Sequence, residues 1–179
     1  MHENDPLNIK KQWFALYTNP RAEKSLSRLF KKYKIDHYLP LLKERKKWSD
    51  RFKIIETPRL KSYIFVNIVF WKDKVSVLQL PGAHHFVFAK GVPAVLEDEK
   101  MEELKSLVEN YGDQMEVMKN EALQPGKLVK IKEGPFLGKT MEIIKRKNAV
   151  TLILRLPDIN QVFTAEMSID KISWEEIDT

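Results

Sequence analysis

Residues 13–18, Trp-Phe-Ala-Leu-Tyr-Thr, are apolar on both faces, as a strand in the middle of a covered sheet requires. Ala22, Leu26, Leu29, Phe30 and Tyr33 then recur at helical spacing, which predicts an amphipathic helix packed on that strand. Asn19 is the expected N-cap and Pro20, with its preset φ, the expected first helical residue. Residues 35–42 and 59–69 read as the second and third strands, with a polar, basic stretch between them. A short helix over 73–80, stopped by Pro81-Gly82, leads to a strand over 86–89. A last helix over 97–111 carries Met101, Leu104, Leu107 and Val108 on one stripe and ends at Gly112. The order βαββαβ with a trailing helix predicts an α+β, ferredoxin-like domain over residues 10–112.

Residues 113–123 follow neither a strand nor a helix period and read as a linker. Beyond them, turn signals at Gly134-Pro135, Lys147-Asn148 and Pro157-Asp158 separate short runs over 128–132, 141–145, 150–156 and 161–165. In the first run Val129 and Ile131 face one way and Lys130 and Lys132 the other. Evenly spaced short strands of this kind predict a small β-barrel over residues 124–179.

Composition narrows the function classes. The chain has no cysteine, which excludes disulfides and thiolate metal sites. No apolar run approaches the roughly 18 residues of a membrane helix, and the polar start Met1-His2-Glu3-Asn4-Asp5 does not suit a secretory signal, so a cytoplasmic protein with no membrane contact is expected. The net charge of +6 is unevenly spread: residues 1–114 hold 21 Lys+Arg against 15 Asp+Glu, and residues 115–179 hold 10 of each. A basic surface attracts a polyanion through counterion release, and a neutral one gains nothing from that effect. The first part is therefore expected to lie near nucleic acid and the second to touch protein.

Catalytic and metal motifs fail on spacing. Gly138-Lys139-Thr140 resembles the end of a phosphate-binding loop, but Gly134 and Gly138 enclose only three residues and the following segment alternates like a strand. His84 and His85 are adjacent, so in a regular strand they point to opposite faces and do not share a metal. Glu97, Asp98 and Glu99 complement the dipole of a helix start. No catalytic residue, metal or cofactor is expected.

Two surfaces remain. The stretch 43–61 sets Lys43, Arg45, Lys46, Lys47, Arg51, Lys53, Arg59 and Lys61 around Trp48 and Phe52. It reads either as a solvated hairpin with Trp48 folded onto the core, or as a basic protrusion along a phosphate backbone with an aromatic ring stacked on an exposed base. On the strands, Ile64 and Val66 are core candidates, so Tyr63 and Phe65, with Tyr17, are expected on the face the helices leave uncovered.

The segments Trp13-Phe14-Ala15-Leu16-Tyr17-Thr18, Asn19-Pro20-Arg21-Ala22-Glu23-Lys24 and Ser62-Tyr63-Ile64-Phe65-Val66 resemble the N-terminal (NGN) domain of the NusG family of transcription elongation factors. The run from Gly126 to Gly138 resembles a KOW module. Both occur in the family's order and together span nearly the whole chain. The resemblance implies a monomeric factor that grips the RNA polymerase clamp and suppresses pausing or termination. Tyr17, Leu60, Tyr63, Phe65 and Phe86 are the matching polymerase-binding positions, and Arg21, Lys46, Lys47, Trp48 and Arg51 are the expected nucleic-acid contacts, with non-template DNA as the ligand. The KOW module is expected to recruit a ribosomal protein through Pro157, Ile159 and Phe163. Leu60-Lys61-Ser62, where the family commonly has Phe-Pro-Gly, and Met141 in place of a KOW glycine are more similar to the specialised RfaH and UpxY paralogs, which act on selected operons. The competing reading is a ribosomal or RNA-processing KOW protein that binds structured RNA.

Overall fold

The structure, a computed structural model, describes residues 6–47 and 50–177. In chain order its elements begin with α1 (Pro6–Ile9), β1 (Gln12–Thr18), α2 (Glu23–Lys32), β2 (Asp36–Tyr38), β3 (Leu41–Lys47), β4 (Phe52–Pro58), β5 (Tyr63–Ile68), α3 (Phe70–Leu78) and β6 (Ala83–Phe86). They continue with β7 (Phe88–Ala89), β8 (Val92–Pro93), β9 (Val95–Leu96), α4 (Asp98–Tyr111), β10 (Met115–Lys119), β11 (Lys127–Ile131), β12 (Thr140–Lys145), β13 (Ala149–Leu156), β14 (Gln161–Ser168) and β15 (Trp174–Glu176). These elements form two compact units, one from residues 1–41 and 58–101, the other from residues 42–57 and 102–179. The expected boundaries differ from this division, because residues 42–57 and most of α4 group with the C-terminal strands.

The first unit is built on an antiparallel sheet in the order β2-β5-β1-β6, with β9 also pairing with β1. This second-third-first-fourth order is the expected ferredoxin-like α+β topology. Helices α2 and α3 cover one face, where Leu26, Phe30, Phe70 and Val77 pack on Phe14, Leu16, Ile64, Val66 and Ile68. Each such side chain contributes about 1.5–3 kcal/mol when fully buried. The start of α2 departs from expectation. Asn19 and Pro20 form a turn in which the Ala22 N–H donates to the Asn19 carbonyl at 3.0 Å, and the helix begins only at Glu23, without a side-chain cap. Proline's fixed φ serves that turn as well as it would a helix start.

In the second unit β3 and β4 form a two-stranded hairpin, and the remaining strands form a six-stranded antiparallel sheet in the order β10-β14-β13-β12-β11-β15. The segment expected to be a linker is therefore in part a strand: β10 pairs with β14 from Met115↔Ala165 to Lys119↔Gln161. Its five residues are too few to display a period, and its partners lie 42 to 50 residues downstream, so local pattern reading had nothing to detect. Val129, Ile131, Met141, Ile143, Val150, Leu152 and Leu154 are buried within this β-rich unit.

Gly126, just before β11, tolerates no side chain, since a Cβ there would lie 2.4 Å from the Ile143 carbonyl oxygen. Its N–H donates to Glu142 Oε1 at 2.7 Å, which fixes the approach of the chain to the sheet. The loop from Gly134 (φ +85°) to Gly138 (φ +80°) closes through a 2.8 Å bond from the Gly138 N–H to the Ile131 carbonyl. Thr140 then opens a strand, so no helix N-terminus faces Gly138-Lys139 and the segment is a turn. Phe136 is buried inside it and stacks on Tyr111, whose hydroxyl pKa burial raises. At the sheet's edge Glu175 and Glu176 are held below the ordinary carboxylate range by hydrogen bonds from Lys132 and Lys127.

Candidate functional site: an aromatic cluster and a basic hairpin

Alternation along β1 and β5 sends Phe14, Leu16, Ile64 and Val66 to the helix-covered face, which leaves Tyr17, Tyr63 and Phe65 on the other. Tyr17 lies directly across the ladder from Tyr63, and their rings meet edge to face at 4.9 Å. Strand β6 extends the cluster through an irregularity. Tyr17 pairs with His85 but Thr18 with Ala83, so His84 is an extra residue in a β-bulge. The bulge turns both imidazoles toward Tyr17: His85 stacks on it at 5.2 Å, His84 meets it edge-on at 6.4 Å, and the two Nδ1 atoms lie 2.7 Å apart. The expectation that the two histidines point to opposite faces is therefore corrected, because it assumed a regular strand. No group of three or more possible metal ligands occurs among the described residues.

Three loops hold this cluster in place. The Ser62 N–H donates to the buried Glu23 carboxylate at 2.7 Å, and the Ser62 carbonyl accepts from Thr18 at 2.8 Å, which sets Tyr63 beside Tyr17. The Asn19 N–H donates to the Gly82 carbonyl at 2.9 Å. Gly82 has φ +98°, and a Cβ there would stand 2.9 Å from that of Ala22, so glycine is what lets the loop before His84 come this close.

Of the five positions matched to polymerase binding, Tyr17 and Tyr63 are half-exposed neighbours, and the other three are buried. Phe86 sits opposite Leu16 on β1, so it shares that residue's face and joins the helix-side core with Phe14 and Phe70. Leu60 is buried, and Phe65, opposite Ala15, is fully buried. These three are core residues in the structure, which leaves the two tyrosines as the accessible members of the set. His84 and His85 are the exposed members that sequence reading missed; the bulge depends on pairing with β1 and leaves no local signal.

Arg21 is exposed, with φ +63° in the left-handed region that non-glycine residues seldom adopt. Lys46, Lys47 and Arg51 are exposed on the hairpin, and Trp48 lies outside the described residues. Lys46 is 3.4 Å from Glu44, and the Arg45 guanidinium lies 4.1 Å from the centre of the Phe52 ring. Phe52 and Ile54, two residues apart on β4, are both exposed, so the hairpin offers apolar surface within a basic rim. In the C-terminal unit only Pro157 of the expected partner site is exposed. The turn over Pro157–Ile159 closes on Asn160 in the left-handed conformation and turns Ile159 inward, and Phe163 is fully buried in β14, so both are core residues in the structure.

The family model for transcription termination factor nusG matches residues 11–105. The chain belongs to the NusG family. The match spans the sheet, both covering helices, the aromatic cluster and the hairpin. A solved structure of Thermotoga maritima NusG, described for its domain interaction, is 16% identical, covers 96% of this chain and 99% of its own, and superposes with a TM-score of 0.53. The MjSpt4:Spt5 complex is 19% identical, with 92% of this chain and 99% of its own covered, at a TM-score of 0.30. No curated protein matches the chain. NusG-family proteins are transcription elongation factors that bind RNA polymerase, and among the described residues no helix is long and apolar enough to cross a membrane.

Proposed function

We propose that this NusG-family chain is a cytoplasmic elongation and antitermination factor that docks on the RNA polymerase clamp through Tyr17, Tyr63, His84 and His85. The observation that carries this reading is the ring cluster of half-buried Tyr17 and Tyr63 with exposed His84 and His85, on the sheet face opposite α2 and α3. Amphipathic rings of this kind give large contact area at small entropic cost, and Tyr is enriched among interface residues that dominate binding energy. The factor works by binding, without catalysis. The C-terminal unit recruits a protein, with a ribosomal protein as the expected partner, and action on selected operons follows from the departures at Leu60-Lys61-Ser62 and Met141.

The basic hairpin supplies the nucleic-acid contact, with non-template DNA beside the polymerase as its ligand. Lys46, Lys47 and Arg51 are exposed and Phe52 has one ring face free of the Arg45 guanidinium, which suits phosphate pairing together with base stacking. Reversing Lys46, Lys47 and Arg51 to Glu is expected to reduce pause suppression in a single-round transcription assay. It should also flatten the log-log salt dependence of association with a transcribing complex by up to about one unit for each phosphate no longer neutralised. A salt slope equal to that of the natural chain would mean that the hairpin is solvated and touches no backbone.

A further inference from the structure

We propose that Glu23 is a positioning residue of the aromatic site: its buried carboxylate holds Ser62 in a left-handed backbone conformation that serine seldom adopts unaided, and so presents Tyr63 to the partner. This rests on the reading of Tyr17 and Tyr63 as the pair that docks on polymerase.

Ser62 has φ +62°. In that region the Cβ of an L-residue crowds the neighbouring carbonyl, so glycine enters it freely, asparagine and aspartate at times, and serine rarely. Such a conformation persists only where the surroundings fix it. Two bonds do so here. The Ser62 N–H donates to Glu23 Oε1 at 2.7 Å, and the Ser62 carbonyl accepts from the Thr18 N–H at 2.8 Å. Glu23 is 5% exposed and Thr18 is fully buried. Carboxylates are seldom buried without a partner, and a hydrogen bond to a charged acceptor is stronger than one between neutral groups. Glu23 opens α2, where a carboxylate would complement the helix dipole from solvent just as well. Its side chain instead turns inward, to a backbone N–H 39 residues along the chain.

The position of this bond gives it a local effect. Ser62 directly precedes Tyr63, the first residue of β5, and Tyr17↔Tyr63 is the pair at that end of the β1–β5 register. Farther along β5, Ile64, Val66 and Ile68 are fixed by the helix-side core, whereas Tyr63 lies on the other face, outside that packing. Rotation of Ser62 out of the left-handed region withdraws its carbonyl from Thr18 and parts the Tyr63 ring from Tyr17, and leaves the core of the sheet in place. The arrangement that meets polymerase is then only a fraction of the population, and the apparent affinity falls by that fraction. Glycine at position 62 would enter the left-handed region without the carboxylate, which separates this role from a contribution of Glu23 to the stability of α2.

Two measurements on the full chain test this. In native-state hydrogen exchange, Glu23→Ala is expected to speed the Ser62 and Thr18 amides about tenfold or more and to leave those of Ile64 and Val66 unchanged, by a local opening. In titrations with core RNA polymerase, Glu23→Ala should weaken binding about tenfold, the loss of one hydrogen bond to a charged group. Glu23→Gln, which keeps an acceptor oxygen, and Glu23→Ala/Ser62→Gly should both bind within about threefold of the natural chain. Unchanged Ser62 and Thr18 exchange in Glu23→Ala, natural affinity in that chain, or a loss of affinity or of folding that Ser62→Gly does not restore would each overturn the proposal. The exchange arm involves no polymerase, and the Tyr17→Ala/Tyr63→Ala chain serves as the control for docking. Normal affinity in that control would defeat the docking reading alone, while normal exchange in Glu23→Ala would defeat the positioning role alone.

Discussion

Alanine at both Tyr17 and Tyr63 is expected to abolish measurable binding to RNA polymerase at concentrations where the natural chain is saturated. Truncating an aromatic anchor in the centre of an interface costs about 2 kcal/mol or more, which is about thirtyfold in affinity for each ring. The two rings contact each other at 4.9 Å, so their effects need not add, and the double variant measures the pair. Both side chains are half-exposed, on the sheet face that α2 and α3 leave free, so the helix-side core is unaffected by the change. Binding is read by titrating the labelled chain with core polymerase, alongside circular dichroism and thermal melting. Normal affinity in a folded double variant would remove the cluster from the interface.

Phe86→Ala is expected to act on a different quantity. Phe86 is 3% exposed and makes ring contacts with Phe14 at 6.3 Å and Phe70 at 5.0 Å, so truncation leaves a cavity in the helix-side core. Substitutions of this class cost about 3–5 kcal/mol of folding stability, a large fraction of what a small domain has. The denaturation midpoint of the first unit should fall sharply, while the fraction of chain that remains folded binds polymerase with ordinary affinity. A stable Phe86→Ala chain with weakened polymerase binding would return Phe86 to the interface and overturn its placement in the core. The pair of experiments separates positions that look alike in the sequence, since both are aromatic residues on strands of one sheet.

Much of the fold is legible in local pattern. The apolar run at residues 13–18, the helical spacing from Ala22 to Tyr33 and the stripe on α4 predict the elements found there. What local pattern does not carry is pairing. His84 and His85 meet because β6 bulges against Tyr17 and Thr18, and β10 exists because β14 supplies a ladder 42 to 50 residues away. The face of a residue is equally a matter of register: Phe86 and Tyr17 both read as aromatic strand residues, and only the pairing of Leu16 with Phe86 assigns Phe86 to the core. Ile159 misleads for a related reason. An apolar residue between Asp158 and Asn160 looks like the tip of an exposed loop, but the left-handed Asn160 closes a tight turn that folds it inward.

The charges of the hairpin are legible as a cluster and not as a surface. Lys46, Lys47 and Arg51 are exposed as their composition suggests, whereas the Arg45–Phe52 contact and the exposure of Ile54 depend on which side of a two-stranded ribbon each residue occupies. Arg21 adds an exposed cation in the other unit, fixed by a backbone conformation that helix spacing does not foresee.

Docking on RNA polymerase is tested most directly by affinity purification of the full chain from cells, beside the Tyr17→Ala/Tyr63→Ala chain. The natural chain is expected to co-elute with core RNA polymerase and the double variant, folded, without it. Co-elution of the natural chain with ribosomal subunits and no polymerase would contradict the account and favour a KOW protein of the ribosome.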